Sequence, residues 1–176
     1  HKMLSALVRL LAPILVHTCE EVWHALGVSD PQSVHLALWP EVDESWVDDA
    51  LAARWERMIS VRSEVLKSLE ALRAAKVIGG SLEAEVTLYT EDEDLYNFLK
   101  PFEADLPTIF ITSAASVVLG RSETAVQSAD IPALYVEAAP SKFAKCKRCW
   151  NLRDTVGSDS GRSDLCRRCA QAVDNL

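Results

Sequence analysis

The first part of the chain carries hydrophobic residues at helical spacing. Leu4, Leu7, Val8 and Leu11 lie three or four positions apart, which predicts the buried face of an α-helix. Pro13 has no backbone N–H, so it is expected to end or kink this helix. The pattern therefore predicts a pair of short helices with a break between them near residue 13.

The second short helix is predicted immediately after this break. Thr18 and Glu21 have the spacing of a capping box, and Gly27 suits the position that follows a helix. Trp23 would lie on the buried face. Cys19 has no other cysteine near it in the sequence, so we interpret it as a small packing residue.

The longest helical pattern in the chain runs from about residue 45 to residue 77. Its hydrophobic positions form one stripe, which predicts a helix that packs along most of its length. Basic and acidic residues are interleaved over the rest of its surface. They form either a solvated face of oppositely charged pairs one turn apart or a ridge that faces RNA.

The hydrophobic period changes to two after Gly79 and Gly80. Residues 82–89 alternate between hydrophobic and polar, which predicts a half-buried strand. The acidic run at 91–94 favours the start of a helix, because carboxylates are stabilised near a helix N-terminus. Further strands are predicted over residues 108–112, 116–119 and 133–138.

Two Cys-x-x-Cys pairs close the chain, and sixteen residues separate them. Each pair can form a tight turn, and the loop between the pairs can bring four thiolates around one tetrahedral ion. The predicted ligands of a structural zinc ion are Cys146, Cys149, Cys166 and Cys169. The alternative is a pair of disulfides, which would not persist in the cytoplasmic location that we expect for a chain without a signal peptide.

The cysteine-rich tail differs in charge from the rest of the chain. Residues 142–169 contain eight Lys or Arg and three Asp, a net charge of +5, whereas the whole chain carries −8. A basic metal-binding tail on an acidic protein favours local contacts with phosphates. The alternative is that the basic residues neutralise the four thiolates.

Together these elements predict a mainly α protein: a helical bundle, a small α+β subdomain and a C-terminal four-cysteine zinc knuckle. We expect a helical domain over residues 1–78, a connector subdomain over 79–140 and a zinc-binding tail over 141–176. No hydrophobic run approaches the roughly 18 residues that a membrane-spanning helix needs, so no membrane partner is expected. We find no nucleotide-binding glycine loop, nucleophile elbow or catalytic dyad, and predict no catalytic residue.

Several stretches resemble class I aminoacyl-tRNA synthetases of the isoleucine, leucine and valine group. Leu10-Leu11-Ala12-Pro13-Ile14-Leu15, with Glu20-Glu21-Val22-Trp23 after it, resembles a motif of their helical anticodon-binding domain. Gly79-Gly80-Ser81-Leu82 and the two cysteine pairs are similar to the bacterial isoleucyl enzymes in particular. The resemblance covers essentially the whole chain and identifies it as a C-terminal region of that family.

The resemblance implies a role in binding the anticodon stem and loop of isoleucine tRNA. ATP would be used only by the full-length enzyme, because the ATP-binding signatures and the editing domain of the family are not found here. The isolated fragment is therefore expected to be catalytically inactive and monomeric, and to act with the N-terminal catalytic and editing domains of the same chain.

RNA loops are bound through stacking on aromatic or guanidinium planes and through contacts with phosphates. Arg148 and Trp150 flank Cys149 and are the first predicted tRNA contacts. The phosphate contacts predicted next are Lys147, Arg153, Arg167 and Arg168. The alternative for Trp150 is that its ring covers the zinc site as part of the core.

Two other functional classes are compatible with the same residues. One is a free-standing tRNA-binding module, and the other is a zinc-ribbon module in which Trp150 and the arginines bind an acidic protein. Within the synthetases, the leucyl and valyl enzymes are the nearest alternatives, and the zinc tail argues against them.

Overall fold

The computed structural model describes residues 1–175, and the chain divides into two compact units that meet in the sequence at Asp49 and Ala50. Within the described residues, no helix is both long enough and hydrophobic enough to cross a membrane. The architecture is a mostly helical N-terminal region, a small mixed sheet with helices, and a C-terminal cluster of four cysteines. The predicted fold class is therefore confirmed.

The first unit contains helices α1, Lys2–Leu11, and α2, Val16–Ala25, so the predicted break around Pro13 is confirmed. Its small core includes Trp23, whose Nε1 donates a hydrogen bond to the Pro31 carbonyl over 2.9 Å. Cys19 is buried in the same core, as expected for a packing residue.

The predicted capping box is wrong, because α2 begins at Val16 and Thr18 lies inside its first turn. Glu20, rather than Glu21, ties this helix to the following loop. One Glu20 carboxylate oxygen accepts hydrogen bonds from the Ser33 hydroxyl over 2.9 Å and from the Val34 N–H over 3.0 Å.

The second unit begins with the long helix α3, Asp49–Ala74, which confirms the predicted long helix with slightly shorter ends. The helices that follow are α4, Glu93–Leu99, α5, Leu106–Phe110, and α6, Arg167–Asp174. The strands are β1, Ala84–Thr90, β2, Ala114–Leu119, β3, Val126–Gln127, and β4, Tyr135–Pro140.

The four strands form one mixed sheet in the order β2-β1-β4-β3. β1 is parallel to β2 and antiparallel to β4, and β3 is antiparallel to β4. Alternate residues of β1 are fully buried, as the period of two predicts, and they share one hydrophobic core with residues of α3, α4 and α5.

This shared core groups α3 with the sheet. Met58, Val61, Val65 and Leu69 of α3 pack in the same cluster as Val86 of β1. The expected boundary between residues 78 and 79 lies inside this cluster, whereas the two compact units divide at residues 49 and 50. The division into 1–78, 79–140 and 141–176 therefore remains an expectation from the sequence.

Most of the charged side chains of α3 have protein partners. Arg57 pairs with Asp94, and the Arg62 Nε donates to the Ile109 carbonyl over 2.9 Å. Lys67 contacts Glu64 and Asp130, both at 2.6 Å. These contacts agree with a solvated, paired face of the helix.

One predicted strand is wrong and one strand was not predicted. Residues 108–112 were expected to be extended, but α5 covers most of them, because Pro107 lies in its first turn and favours helix initiation there. Ile111 then ends the helix in the left-handed region, with φ of 59°. β3 has only two residues, too few to produce a periodic pattern.

Candidate metal centre and nucleic-acid surface

A short hairpin carries the first pair of cysteines. Lys145 and Leu152 form an antiparallel bridge, and the Cys146 N–H donates to the Asn151 carbonyl over 2.9 Å. The Trp150 N–H donates back to the Cys146 carbonyl, also over 2.9 Å. These bonds fold residues 146–149 into a tight turn, so the two sulfurs of this pair point to one side.

Helix α6 presents the second pair of cysteines. Cys166 is the residue immediately before the helix, and Cys169 lies in its first turn, so both sulfurs face the hairpin. The Cys166 N–H donates to the Cys146 sulfur over 3.3 Å, which links the two halves directly. We call residues 144–175, which comprise this hairpin, the loop and α6, the knuckle.

The four sulfurs have the geometry of a tetrahedral metal site. They all lie within 4.8 Å of one another, and the sulfurs of Cys149 and Cys166 are 3.8 Å apart. Zinc–sulfur bonds of about 2.3 Å in a tetrahedron place neighbouring sulfurs about 3.8 Å apart. A disulfide needs a separation of about 2.05 Å, and all five cysteines are free thiols. The residues present therefore fit a zinc ion and do not form the alternative pair of disulfides.

The surroundings of the cysteines shift their pKa values in opposite directions. Burial disfavours the Cys146 thiolate, but hydrogen bonds from backbone N–H groups, including those of Cys149 and Cys166, outweigh burial and lower its pKa to about 6. Burial and the neighbouring sulfurs raise the pKa of Cys166 to about 11. Such a cluster holds one thiolate ready for a cation, and a bound dication would favour ionisation of the rest.

One arginine of the knuckle is directed at a sulfur, and the sulfurs influence a second one. The Nη1 of Arg148 lies 3.7 Å from the sulfur of Cys169. The pKa of the Arg168 guanidinium is raised, chiefly by the influence of the Cys149 sulfur. These observations agree with the alternative in which basic residues neutralise the thiolates.

Trp150 lies at the end of the hairpin turn with its ring in solvent. The side chain is 62% exposed, and the Nζ of Lys145 lies 5.9 Å from the ring centroid. The buried cluster around the cysteines consists of sulfurs with Val156 and Leu165 packed against them. The ring of Trp150 is thus accessible to a partner.

The other predicted phosphate contacts have different surroundings. Lys147 is exposed and pairs with Asp164 at 3.3 Å. Arg153 is half-buried, and its Nε has no hydrogen-bond partner in the described part of the chain. Arg167 is exposed and lines an open cleft together with Ser158, Asp159 and Ser160. All six predicted tRNA contacts lie in the knuckle.

Three residues near the knuckle were not predicted from the sequence. Lys145 faces Trp150, and the side-chain amide of Asn151 donates to the Cys149 carbonyl over 3.1 Å. Ser113, which is buried immediately before β2, accepts a hydrogen bond from the Leu152 N–H over 2.7 Å and donates to the Leu82 carbonyl. Only the positions of Lys145 and Asn151 beside the cysteine pair could have indicated a role.

Comparison with known proteins gives two family matches in one chain. Residues 1–88 match the anticodon-binding domain of tRNA ligase. Residues 143–172 match the zinc finger found in FPG and IleRS. With the sulfur geometry, the second match indicates that the four cysteines bind Zn²⁺.

Relatives are similar along the whole chain. The isoleucine–tRNA ligase of Moorella thermoacetica is 42% identical over 100% of this chain, which corresponds to 19% of that protein. The isoleucine–tRNA ligase of Geobacter sulfurreducens is 39% identical over 97% of this chain and 18% of its own length. The isoleucine–tRNA ligase of Aromatoleum aromaticum is 41% identical over 94% of this chain and 17% of its own length.

The chain therefore spans less than a fifth of the length of these relatives. Within that span, the anticodon-binding match covers half of the chain and the zinc finger follows it in sequence. The chain belongs to the family of tRNA ligase anticodon-binding domains and ends in a zinc finger.

Proposed function

We propose that this chain is the C-terminal part of an isoleucine–tRNA ligase and that it recognises the anticodon stem and loop of isoleucine tRNA. The observation that carries the proposal is the combination, in one chain, of an anticodon-binding match and a zinc-finger match. The similarity to proteins named isoleucine–tRNA ligase over the whole chain supports the choice of isoleucine over leucine and valine.

In the full-length enzyme, ATP would be used to join isoleucine to its tRNA. That chemistry belongs to the catalytic and editing domains expected elsewhere in the same chain, and the fragment alone would be inactive and monomeric. A cytoplasmic location suits both protein synthesis and a site built from free thiols.

Zinc acts here as a structural ion. Four cysteines complete a tetrahedral site and leave no position for an activated water, so the ion supplies folding energy to the knuckle rather than a reactive group. The residues around it then do the binding. The exposed ring of Trp150 stacks on an unpaired base, and Lys145 beside it attracts the phosphate of the same nucleotide.

The remaining basic residues contact phosphates. Arg167 is favoured, because it is exposed and lines an open cleft with Ser158, Asp159 and Ser160. Lys147 and Arg153 contribute from the hairpin. Arg148 reaches RNA only with donors that are not directed at the sulfur of Cys169, and Arg168 is a further phosphate contact.

Binding to purified tRNA tests this proposal. The zinc-loaded chain is titrated against isoleucine tRNA, against the same tRNA with a changed anticodon, and against leucine and valine tRNA. We expect the tightest binding to unmodified isoleucine tRNA. Equal affinity for the anticodon-changed tRNA would contradict anticodon recognition. If the chain bound none of the tRNAs but did bind an acidic protein, the interaction-module alternative would be favoured.

The same site can be tested in the intact enzyme. Trp150→Ala should lower the rate of aminoacylation at subsaturating tRNA while leaving amino-acid activation without tRNA unchanged, because the ring would contact only the tRNA. Aminoacylation and ATP–pyrophosphate exchange are measured side by side. An equal loss in both assays would count against the proposed contact.

A further inference from the structure

Helix α1 buries only one of its two hydrophobic sides. Val8 and Ala12 pack in the core of the first unit, together with Trp23. Successive residues of an α-helix are about 100° apart around its axis. The side of α1 that faces away from this core, continued by the turn after the helix, therefore carries Met3, Leu7, Leu10 and Ile14.

We call these four residues the α1 stripe, and all four are exposed. Met3 is 83% exposed, Leu7 51% and Ile14 77%. Leu10 lines an open cleft with Trp46, which is itself more than half exposed. Isolated exposed hydrophobic residues are normal on a protein surface, whereas a continuous hydrophobic patch marks an interaction site.

The charged side chains of α1 lie outside the stripe. The Arg9 Nε donates to the Ser5 carbonyl over 3.0 Å, and its Nη1 donates to the Leu38 carbonyl over 3.3 Å. The ammonium group of Lys2 lies 5.8 Å from the centroid of the Trp46 ring. Both cations are held against the first unit itself, so the hydrophobic surface of the stripe is continuous.

The spacing of the stripe suits another helix. Its members are separated by four, three and four positions, the pattern that brings the side chains of two packed helices together. From Met3 to Ile14 the stripe is about 16 Å long, so it can accommodate about three turns of a partner helix. A helix that is hydrophobic on two sides is typical of the interior of a larger helical assembly.

We propose that the α1 stripe is covered by a helix from the part of the full-length ligase that precedes His1. This inference rests on the proposed function, in which the chain is the C-terminal part of an isoleucine–tRNA ligase. The chain spans 19% of the Moorella thermoacetica relative, so more than four-fifths of a protein of that length lies outside it. The preceding chain joins at His1, two residues from Met3, and its effective concentration at the stripe is far higher than that of a separate molecule.

This contact makes α1 an interior helix. Its hydrophobic residues are then packed on both sides, and the small core of the first unit extends into the rest of the ligase. The stripe thereby fixes the first unit to the part of the enzyme that precedes it.

Thiol labelling at Leu7, near the middle of the stripe, is the direct test. Leu7→Cys is introduced into the full-length protein and into the 176-residue chain, and both are treated with N-ethylmaleimide. Peptide mass spectrometry follows the label at this position and separates it from the native cysteines. We expect labelling to be about tenfold slower or more in the full-length protein, because the reagent must wait for the two helices to separate.

Glu21→Cys is the matched control. Glu21 lies in α2 of the same unit, and its charged side chain is exposed. The thiol at this position should react at similar rates in the two proteins. Equal slowing at both positions would indicate a general effect of the larger protein and would overturn the inference.

Fast labelling of Leu7→Cys in both proteins would also overturn it, because the stripe would then be uncovered. Slow labelling in both would contradict cover by the preceding chain, and sedimentation of the 176-residue chain would show whether a second copy covers the stripe instead. No tRNA is present in these experiments. Their result is therefore independent of anticodon recognition, and aminoacylation by the parent full-length protein establishes separately whether it is the ligase.

Discussion

Trp150 is held in an unfavourable backbone conformation. Its φ is 64°, in the left-handed region, and this conformation follows from the turn in which the Trp150 N–H bonds to the Cys146 carbonyl. Glycine adopts this region without strain, whereas a bulky side chain pays about 1–2 kcal/mol. A large exposed aromatic residue at such a position points to use of the ring, because packing does not offset the strain.

Substituting Trp150 should separate stability from binding. Trp150→Gly is expected to unfold at a higher temperature than Trp150→Ala, because only the glycine relieves the strain at φ of 64°. Both variants should lose affinity for isoleucine tRNA to a similar extent. Thermal unfolding of the zinc-loaded chains and tRNA titration check the two parts. A glycine variant no more stable than the alanine variant would show that the turn carries no strain.

The edge strand β2 is protected by two side chains. Val117 donates its N–H to a Glu103 carboxylate oxygen over 2.8 Å and accepts at its carbonyl from the Lys100 Nζ over 3.3 Å. Lys100 and Glu103 also pair with each other at 2.7 Å. These side chains occupy the backbone groups that a foreign strand would use, which is one way to prevent edge-to-edge association.

This arrangement predicts a dependence on pH. The hydrogen bond from Lys100, then that from the Val117 N–H, lower the pKa of Glu103 below its ordinary value of 4.5. A lowered pKa means that its contribution to stability is complete above the unfolded-state value and is lost as the pH falls through the folded-state value. Urea unfolding at about pH 6 and about pH 3 should show a smaller loss of stability for Glu103→Gln than for the parent. Identical losses would contradict this role.

At the scale of elements, the knuckle is a unit whose halves meet through sulfur, a few backbone bonds and the ion pair of Lys147 with Asp164. Its hairpin and α6 enclose no hydrophobic core beyond the cysteines and their immediate neighbours. Metal binding supplies the folding free energy of such modules, about 10–16 kcal/mol in small zinc peptides.

Cys166→Ser should therefore unfold the knuckle and leave the sheet intact. The sheet and its helices have their own core, so the circular dichroism of the helices should largely persist while bound zinc falls from one equivalent towards zero. Cys19→Ser is the control for thiol loss, because Cys19 lies in the core of the other unit. Full zinc stoichiometry in Cys166→Ser would remove Cys166 from the ligand set.

Elements with a strong period could be predicted from the sequence, whereas short ones could not. The long helix α3 and the strand β1 show clear periods of 3.6 and two, because each has one buried face. α5 was mistaken for a strand because five residues hold little more than one helical turn. In the metal site, ligand spacing predicted the four cysteines, but the direction of Arg148 towards Cys169 depends on a tertiary contact that spacing does not encode.

At the scale of the whole molecule, the charge distribution governs how RNA would be bound. The chain carries −8 in total, whereas residues 142–169 carry +5, so the excess of positive charge lies in the tail. Three of the eight basic residues in this tail are already directed at carboxylates or a sulfur within the protein. Only a few phosphate contacts are then available.

The salt dependence of tRNA binding should therefore be moderate. Each phosphate contact in a single-stranded region changes the slope of log K against log salt by about 0.7. We expect Arg167→Gln to reduce the slope by about that amount. Arg54 lies in α3, and its guanidinium stands over the ring of Phe102. Arg54→Gln serves as the control and should leave the slope unchanged. Measuring tRNA binding at several salt concentrations gives the slope for each variant. An equal change of slope in the two variants would mean that the RNA also contacts α3.

Ser113 has a consequence for the entropy of binding. Its buried hydroxyl joins the Leu82 carbonyl, next to β1, to the Leu152 N–H in the hairpin, so the sheet and the hairpin share a fixed point. Trp150 is two residues from Leu152, so the motion of its backbone relative to the sheet is restricted. The loss of conformational entropy when a base stacks on the Trp150 ring is therefore smaller. The backbone amide of Leu152 should exchange its hydrogen with solvent as slowly as the amides of the sheet.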